Sequence, residues 1–349
     1  MNELSNKPLL NRAPRLALIG CGAIAEVYHL PALAKHRAVM ENLVLVDTNE
    51  VRTKELAEKF NVRKTAQDYR TILQEVDGVI IALPHHLHYA ITLDFLQHGV
   101  HVLCEKPLAE APKEAQQMVD QAQQSGVALA VNLTRRLFPA YRKIKELLAT
   151  DTLGKLISIQ YVEGHPFTWP TASGFYFKKA SPTGVLLDKG AHSLDAICWW
   201  LGGKPTVLSS ENDSFGGFEG AALVKLLHNG CAIELKLSWL NRLQNRYSIV
   251  GELGKIEGGI EEWDCVTVNY NSGRTSKIKL AAHERAYNDF GNTMLTNFID
   301  VITQGVKPLV PAAEMLASVE LIDECYKTVR RFQMPWLETT KMIYDGVTL

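Results

Sequence analysis

The sequence predicts an α/β protein in which a doubly wound parallel sheet is followed by a second α/β domain with a large, mostly antiparallel sheet. Short apolar runs alternate with amphipathic stretches over residues 15–131, which is typical of parallel strands joined by crossover helices. A glycine-rich turn follows the first of these runs. Beyond Asn132 the segments lengthen and alternate polar with apolar residues, as the strands of an antiparallel sheet do.

Length and composition allow two globular domains and exclude several classes of protein. A chain of 349 residues is long enough for two domains, which we place at residues 1–132 and 133–349. Its 46% hydrophobic and 21% charged residues exclude a disordered tail or a coiled coil. Because 37 Lys and Arg residues balance 38 Asp and Glu residues, no strong positive field favours nucleic acid as a partner.

The cysteines and the N-terminal residues predict a cytoplasmic protein without a metal. The 6 cysteines form no CxxC pair and have no histidine at zinc spacing, so we expect neither a disulfide framework nor a structural metal. The first residues are polar and lack the apolar stretch of a signal peptide. No apolar run approaches the roughly 18 residues that a membrane-spanning helix needs. A membrane is therefore not an expected partner.

The first half contains five predicted strands, each rich in Val, Ile and Leu as strands covered on both faces are. Residues 50–60 place apolar side chains near helical spacing, and Pro112 opens a helix that runs to Gln124 before Gly126 ends it. This alternation indicates a Rossmann-like domain. The predicted strands span residues 15–19, 43–46, 78–83, 101–104 and 128–131.

The glycine-rich turn after the first strand predicts a dinucleotide site. Residues 20–25 read GCGAIA and fit the fingerprint G-x-G-x-x-G/A, since they follow a strand and open a helix. Gly20 permits the tight turn, and Gly22 lets a pyrophosphate approach the backbone at the positive end of the helix. The alternative is a glycine turn that binds nothing. The predicted cofactor contacts here are Gly20, Gly22, Ala23 and Ile24.

Asp47 strengthens this prediction and bears on the choice of cofactor. It ends the next strand, roughly 20 residues after the fingerprint, where a carboxylate hydrogen-bonds the ribose 2′-hydroxyl. The same carboxylate repels a 2′-phosphate, so NAD is the expected cofactor. Arg52 lies about one helical turn beyond the strand end and could instead reach a phosphate, which leaves NADP as the alternative. If no nucleotide binds, Asp47 is expected to cap the next helix.

The second half contains long alternating strands that form hairpins. Asn229-Gly230 is a strong hairpin signal, and turns at residues 251–254 and 271–273 extend the antiparallel sheet. By alternation Leu235, Leu237 and Trp239 share one face, which we expect to be exposed and available to another subunit. The predicted strands include residues 155–162, 221–227 and 231–239, and the predicted helices span residues 140–148, 289–303 and 312–330.

Five further motifs occur in order along most of the chain: LPHHLH at residues 83–88, CEKP at 104–107, RRLFP at 135–139, LGK at 153–155 and DKGAHSLD at 188–195. With the glycine turn, they resemble the Gfo/Idh/MocA oxidoreductases, the relatives of glucose-fructose oxidoreductase and inositol dehydrogenase. The resemblance implies an N-terminal Rossmann domain that binds NAD or NADP and a C-terminal domain with a mostly antiparallel sheet. It also implies a sugar, sugar derivative or cyclitol as substrate, and a homodimer or homotetramer.

Lys106 is the first candidate catalytic residue. A lysine at the carboxyl end of a parallel strand, followed by Pro107 in a tight turn, lies at the crevice where open α/β sheets bind ligands. Its ammonium could polarise a substrate oxygen or exchange a proton. The alternative is a surface lysine paired with Glu105. The family resemblance favours the catalytic interpretation.

Asp188 and His192 are the other catalytic candidates. They are four residues apart, so on one helix both side chains would share a face and approach one substrate alcohol. The resemblance implies that they lie beside the reacting carbon, with His192 as the proton carrier oriented by the carboxylate and Lys106 steadying the oxygen. Lys106 as the proton carrier is the second assignment. The alternative is that Asp188 caps the helix and His192 packs beside Trp199 and Trp200.

The LPHHLH motif places three histidines after a strand. Their spacing matches none of the usual zinc arrangements, so we expect no metal site. The family commonly has asparagine where this chain has His85, which puts the role of that position in doubt. His88 matches a later histidine of the family and is expected to orient the loop over the cofactor. The further predicted cofactor contacts are Leu83, Pro84, His88, Glu105 and Lys106.

An aromatic and proline-rich loop follows the first strand of the second half. It reads EGHPFTWP at residues 163–170 and precedes Phe175, Tyr176 and Phe177. Aromatic faces stack on sugar rings, and basic side chains bind hydroxyl, carboxylate or phosphate groups. Anchoring of the loop against the core explains the same residues equally well. The predicted substrate contacts are Arg135, Arg136, His165, Trp169, Asp188 and His192.

The sequence therefore predicts reversible hydride transfer between a nicotinamide and a secondary alcohol or ketone of a sugar-like small molecule. Two alternatives remain at this stage. One is a catalytically silent nucleotide-binding regulator of the same fold. The other is an enzyme that uses bound NAD transiently for elimination or glycoside hydrolysis.

Overall fold

The computed structural model describes residues 10–171, 174, 176, 184–214 and 218–332. Phe175, Phe177 and residues 333–349 of the predicted second domain lie outside the described residues. The described chain forms two sheets, one of six strands and one of nine. The predicted α/β class, with a parallel sheet before a mostly antiparallel one, is confirmed. In the described part, no helix is long and apolar enough to cross a bilayer.

The N-terminal sheet is entirely parallel and has the order β3-β2-β1-β4-β5-β6. This doubly wound order places the carboxyl ends of the central strands around one crevice. All five predicted strands are present. The sixth strand, β3, was not predicted because its side chains are exposed or half-buried and form no apolar run. The strands are β1 (Leu16–Ile19), β2 (Val44–Val46), β3 (Lys64–Ala66), β4 (Gly78–Ile81), β5 (His101–Glu105) and β6 (Leu129–Asn132).

Helices cover the faces of this sheet. After the glycine turn the chain forms a π-helical segment, Ala25–His29, which continues into the first α-helix. The side chain of Asn49, and not that of Asp47, caps α3 by accepting a hydrogen bond from the Arg52 N–H at 3.1 Å. The capping alternative for Asp47 is therefore wrong. The helices are α1 (Leu30–Leu33), α2 (Arg37–Met40), α3 (Glu50–Phe60), α4 (His88–Gln97) and α5 (Pro112–Gln124).

The second sheet has the order β14-β13-β12-β11-β7-β10-β9-β8-β15. Its pairs are antiparallel except β7 with β10 and β8 with β15. The predicted hairpin joins β9 and β10, and Asn229 and Gly230 have φ values of 48° and 83°, as a type I′ turn requires. The strands are β7 (Leu156–Gly164), β8 (Thr206–Asn212), β9 (Ala221–His228), β10 (Cys231–Ser238), β11 (Arg246–Gly251), β12 (Gly254–Gly259), β13 (Cys265–Tyr270), β14 (Thr275–Lys279) and β15 (Val329–Arg331).

Two predictions about the second half are wrong. The last helix does not reach Arg330, because α10 ends at Lys327 and the next residues pair with β8 as β15. The face that carries Leu235, Leu237 and Trp239 is buried within the chain and not exposed. Helices pack against it, and Trp239 also packs edge to face with Phe167. The helices of this half are α6 (Pro139–Ala149), α7 (Val185–Asp188), α8 (Gly190–Leu201), α9 (Asp289–Gln304) and α10 (Leu316–Lys327).

The closing helix α9 returns to the first sheet. Gly78 of β4 lies so close to it that an added Cβ would stand 2.6 Å from the Ile302 Cδ1 and 3.3 Å from the Phe298 ring. The absence of a side chain at Gly78 therefore allows this close packing. The two halves of the chain thus share one buried core.

Candidate nucleotide and catalytic site

Every N-terminal motif lies at one edge of the parallel sheet. Gly20 follows β1, Asp47 follows β2, Leu83 and Pro84 follow β4, and Lys106 follows β5. Because the strands are parallel, these carboxyl ends meet at the crevice where sheets of this order bind ligands. The fold thus brings the predicted cofactor contacts to one place.

The glycine turn has the shape that a pyrophosphate needs. Gly20 has a φ of +102°, and an added Cβ would lie 2.3 Å from the Ala82 carbonyl oxygen, so this position accepts only glycine. By contrast, a Cβ at Gly22 would meet no atom within 4 Å. The backbone at Gly22 therefore faces open space beside the start of a helical segment, which is where an anion binds.

Asp47 is fixed beside this turn by two backbone N–H groups. Its Oδ2 accepts from Cys21 at 2.7 Å, and its Oδ1 accepts from Asn49 at 2.8 Å. Each carboxylate oxygen retains acceptor capacity, so the geometry fits a ribose diol. Arg52 folds back to the same turn, where its Nε donates to the Cys21 carbonyl at 3.0 Å.

Lys106 joins the two halves of the chain. Its Nζ donates to the Asp188 Oδ1 at 2.5 Å and to the Asp188 backbone carbonyl at 3.1 Å. The two side chains are only 15% and 17% exposed. The ammonium therefore faces the crevice and is not a surface group paired with Glu105.

The Asp188 segment departs from the expected single helix. Helix α7 ends at Asp188 and α8 begins at Gly190, with Lys189 as the junction. The Asp188 carbonyl accepts from Lys106, whereas the His192 N–H donates to Lys189. Asp188 and His192 therefore lie on two successive helices, and not on the single helix that would place them on one face. The carboxylate of Asp188 binds the Lys106 ammonium.

His192 has a buried ring nitrogen whose hydrogen-bonding capacity is unused among the described residues. In the described part of the chain, its Nδ1 is enclosed and has no hydrogen-bond partner. Burial lowers the pKa of His192 well below 6.5, and the positive charges of Lys106, Arg135 and Lys189 lower it further. The imidazole is therefore neutral near pH 7 and can accept a proton.

Glu105 and His88 are bonded within the protein. Burial alone would raise the pKa of Glu105, but hydrogen bonds from His29 and Asn132, at 2.8 and 2.7 Å, bring it below its ordinary value. The two ring nitrogens of His88 are hydrogen-bonded to the carbonyls of Pro107 and Leu83, at 2.7 and 2.8 Å. His88 therefore ties the loop after β4 to the loop after β5. The peptide bond between Lys106 and Pro107 is cis.

Arg135 and Arg136 are buried and paired with carboxylates, which places them in the scaffold of the site. The Arg135 guanidinium donates to both oxygens of Glu163, at 2.7 and 2.8 Å. Arg136 likewise donates to both oxygens of Asp195, at 2.7 and 2.8 Å, and also forms an ion pair with Glu314. Removing one partner of a buried ion pair strongly destabilises a protein, so both guanidinium groups are committed to their carboxylates. The sequence-based prediction that Arg135 and Arg136 contact the substrate directly is therefore not supported.

The aromatic loop lies between the two halves. The Phe167 ring contacts Trp239 and Tyr176, with centroid distances of 4.9 and 5.3 Å, and Tyr176 contacts His85 at 5.7 Å. Trp169 is 39% exposed, and His165 is half-buried beside the end of β10. His85, the departure from the family pattern, therefore packs on an aromatic side chain from the second half.

The sequence analysis did not identify several residues of the site. Glu163 is the last residue but one of strand β7 and lies on its buried face, and a carboxylate on the buried face of a strand is a signal for a buried ion pair. It also accepts from Lys189 at 2.9 Å. Burial alone would raise the pKa of Glu163, but the charges of Arg135 and Lys189 lower it to about 2. The other missed residues are His29, Asn132 and Lys189. In the described ranges no cluster of His, Cys, Asp and Glu side chains could hold a metal ion.

Family comparisons agree with this architecture. Residues 14–133 match the oxidoreductase family with an NAD-binding Rossmann fold, and residues 141–257 match the GFO/IDH/MocA C-terminal domain. The chain belongs to the Gfo/Idh/MocA oxidoreductase family. The resemblance inferred from the sequence motifs is thereby confirmed, together with an NAD-binding Rossmann domain.

Curated relatives are 27% to 31% identical to this chain over the matched regions. The chain is 31% identical to the D-glucoside 3-dehydrogenase of Escherichia coli over 58% of this chain and 57% of that protein. It is 29% identical to the rhizopine catabolism protein MocA of Rhizobium meliloti over 59% and 64%. These two matches span less than two thirds of each relative. A rabbit (Oryctolagus cuniculus) trans-1,2-dihydrobenzene-1,2-diol dehydrogenase is 27% identical over 89% of this chain and 97% of its own.

Solved structures share the fold. A 3-ketoreductase of Actinomadura kijaniata, in complex with NADP and TDP-benzene, superposes with a TM-score of 0.79 at 22% identity, over 92% of this chain and 99% of its own. A levoglucosan dehydrogenase in complex with NADH and levoglucosan gives 0.78 at 19% identity, over 90% and 96%. These matches extend across both sheets.

The two glycines of the turn should respond differently to alanine. We expect Gly20→Ala to destabilise the protein without nucleotide by about 1–3 kcal/mol, since it forces a strained φ and a backbone clash. Gly22→Ala should leave that stability within about 0.5 kcal/mol but weaken NADH binding, because its methyl group occupies the open face. Urea unfolding and NADH fluorescence titration measure the two effects. Equal stability of the two variants would contradict this interpretation.

The lowered pKa of His192 predicts a specific pH profile. A group with a depressed pKa stays neutral as the pH falls through 6.5, so it remains a proton acceptor there. We expect kcat/KM for alcohol oxidation to show no loss centred at or above pH 6.5 and to fall only at lower pH. Steady-state rates from pH 5 to 9 check this, with His192→Gln as the control that lacks the titrating group. A loss in the wild type centred near pH 7 and absent in His192→Gln would show that the pKa of His192 is not lowered.

Proposed function

We propose that this protein transfers hydride reversibly between NAD and a secondary alcohol or ketone of a sugar, sugar derivative or cyclitol. The observation that carries the proposal is the Lys106–Asp188 pair at the sheet edge that carries the glycine turn, together with His192. The Lys106 charge is near enough to lower the pKa of His192, and the His192 Nδ1 has no hydrogen-bond partner among the described residues. A nucleotide-binding regulator has no need of this arrangement. NAD, when bound, supplies the hydride acceptor C4 of the nicotinamide.

The cofactor contacts follow from the turn and Asp47. The open backbone at Gly22, with Gly20, Ala23 and Ile24, would hold the pyrophosphate, and Asp47 would hold the ribose. Leu83 and Pro84 would line the nicotinamide end. Glu105 and His88 would act by positioning these loops, since both are bonded within the protein.

Proton transfer is assigned to His192. During alcohol oxidation its neutral imidazole would take the hydroxyl proton. The Lys106 ammonium, held by Asp188, would donate to the substrate oxygen as negative charge develops there. Since Lys106 already donates to a carboxylate at 2.5 Å, it is a poor proton acceptor, which favours His192 over Lys106 for this step.

The substrate class rests on the aromatic loop and on the relatives. The D-glucoside 3-dehydrogenase among them is named for a polyhydroxylated ring. Aromatic faces of the loop that contains Phe167 and Trp169 would stack on such a ring, with His165, Asp188 and His192 binding hydroxyl groups. Arg135 and Arg136 would position this wall through their buried carboxylate partners.

We further propose that the protein is a cytoplasmic homodimer or homotetramer. Within each chain, the boundary between the two domains would lie between residues 132 and 133. The scattered cysteines support a reducing compartment. The face of the large sheet opposite Leu235 carries Leu223 and Leu227 by alternation, and Leu227 is 40% exposed. Apolar side chains on that face would be covered by a second copy.

The decisive functional test is Lys106→Ala. After sugars, inositols and nucleotide sugars are screened with NAD and NADP by nicotinamide absorbance, we expect this variant to lower kcat by on the order of 10²- to 10³-fold, since it removes a donor to the developing oxyanion. NADH affinity should stay within about threefold. Lys113→Ala, on the exposed start of α5, is the matched control. Near wild-type turnover by Lys106→Ala would refute the assignment, and turnover without net NADH would favour transient use of NAD.

A further inference from the structure

A cluster of charges lies beside the glycine turn and is not used by the proposed chemistry. Glu26, in the π-helical segment that follows the turn, pairs with two cations of α3. Its carboxylate forms a close ion pair with Arg52 and accepts from the Lys59 Nζ at 2.6 Å. The hydrogen bonds from Lys59 and Arg52 lower the pKa of Glu26, so the carboxylate is charged near neutral pH.

Arg52 and Asp47 share one neighbour. The Cys21 N–H donates to Asp47 at 2.7 Å, and the Cys21 carbonyl accepts from the Arg52 Nε at 3.0 Å. The guanidinium therefore lies at the same corner of the turn as the carboxylate predicted to bind the ribose. This corner is where Rossmann proteins receive a ribose 2′-hydroxyl or a 2′-phosphate.

The two cations would ordinarily favour a phosphate at this corner. An arginine near the ribose accommodates the 2′-phosphate of NADP. Here Glu26 accepts charge-assisted hydrogen bonds from one of the two terminal nitrogens of Arg52, Nη2, and from the ammonium of Lys59. A 2′-phosphate would have to displace Arg52 from that carboxylate while itself being repelled by it.

We propose that Glu26 determines cofactor specificity by holding Arg52 and so excluding NADP. This inference rests on dinucleotide binding at the glycine turn. It assigns the preference for NAD to two carboxylates: Asp47 binds the hydroxyl, and Glu26 withholds the cation that would bind a phosphate.

The test compares Glu26→Gln with Glu55→Gln. Glu55 also contacts Arg52, at 3.4 Å, but its side chain is 59% exposed, so its loss should change little. Fluorescence titration at low salt gives Kd for NADPH and NADH without turnover. We expect Glu26→Gln to tighten NADPH binding by about tenfold and to leave NADH within about threefold, whereas Glu55→Gln leaves both within about twofold.

A double variant tests the mechanism. Adding Arg52→Ala to Glu26→Gln should abolish the gain in NADPH affinity, and retention of the gain would overturn the proposal. An unchanged NADPH to NADH ratio in a folded Glu26→Gln protein, verified by its melting temperature, would also overturn it. If the wild type binds neither dinucleotide, the proposed function itself fails, which is a distinct result.

Discussion

The hydrogen-bonded ion pair between Lys106 and Asp188 is the interaction on which the site depends. It joins the end of a parallel strand to a helix end in the second half, 82 residues away. Because the pair is largely shielded from water, its attraction is stronger than that of a surface ion pair. It fixes the Lys106 ammonium as a hydrogen-bond donor. Burial lowers the pKa of His192, and the nearby charge of Lys106 lowers it further, so the imidazole is neutral.

Buried pairs around the crevice hold this arrangement. Glu163 is shared by Arg135 and Lys189, so the strand β7 fixes the junction that follows Asp188. On the other side, Glu105 is held by His29 and Asn132 immediately before Lys106. Breaking such a buried ion pair strongly destabilises a protein, so these pairs hold their elements in place. The reactive groups are thus positioned by residues that need not touch a substrate.

Local patterns in the sequence predicted most of the fold, and tertiary pairing accounts for what they missed. The strands β1, β4 and β5 and the turn at Gly20 follow from apolar runs and from the steric freedom of glycine. The ends of α7 and α10 did not follow, because a bond from Lys106 and pairing with β8 decide them. The pairing of Arg135 could not be predicted either, because its partner Glu163 lies 28 residues away along the chain. Arg135 was therefore assigned to the substrate.

In the proposed mechanism, Lys106, Asp188 and His192 surround the reacting end of the cofactor. A crystal structure of the protein with NADH and a substrate analogue tests it most directly. We expect the nicotinamide ring beside these three side chains, the Lys106–Asp188 bond retained, and an analogue oxygen bonded to the Lys106 ammonium and the His192 ring. A nicotinamide bound outside this crevice, with no analogue oxygen near either side chain, would contradict it.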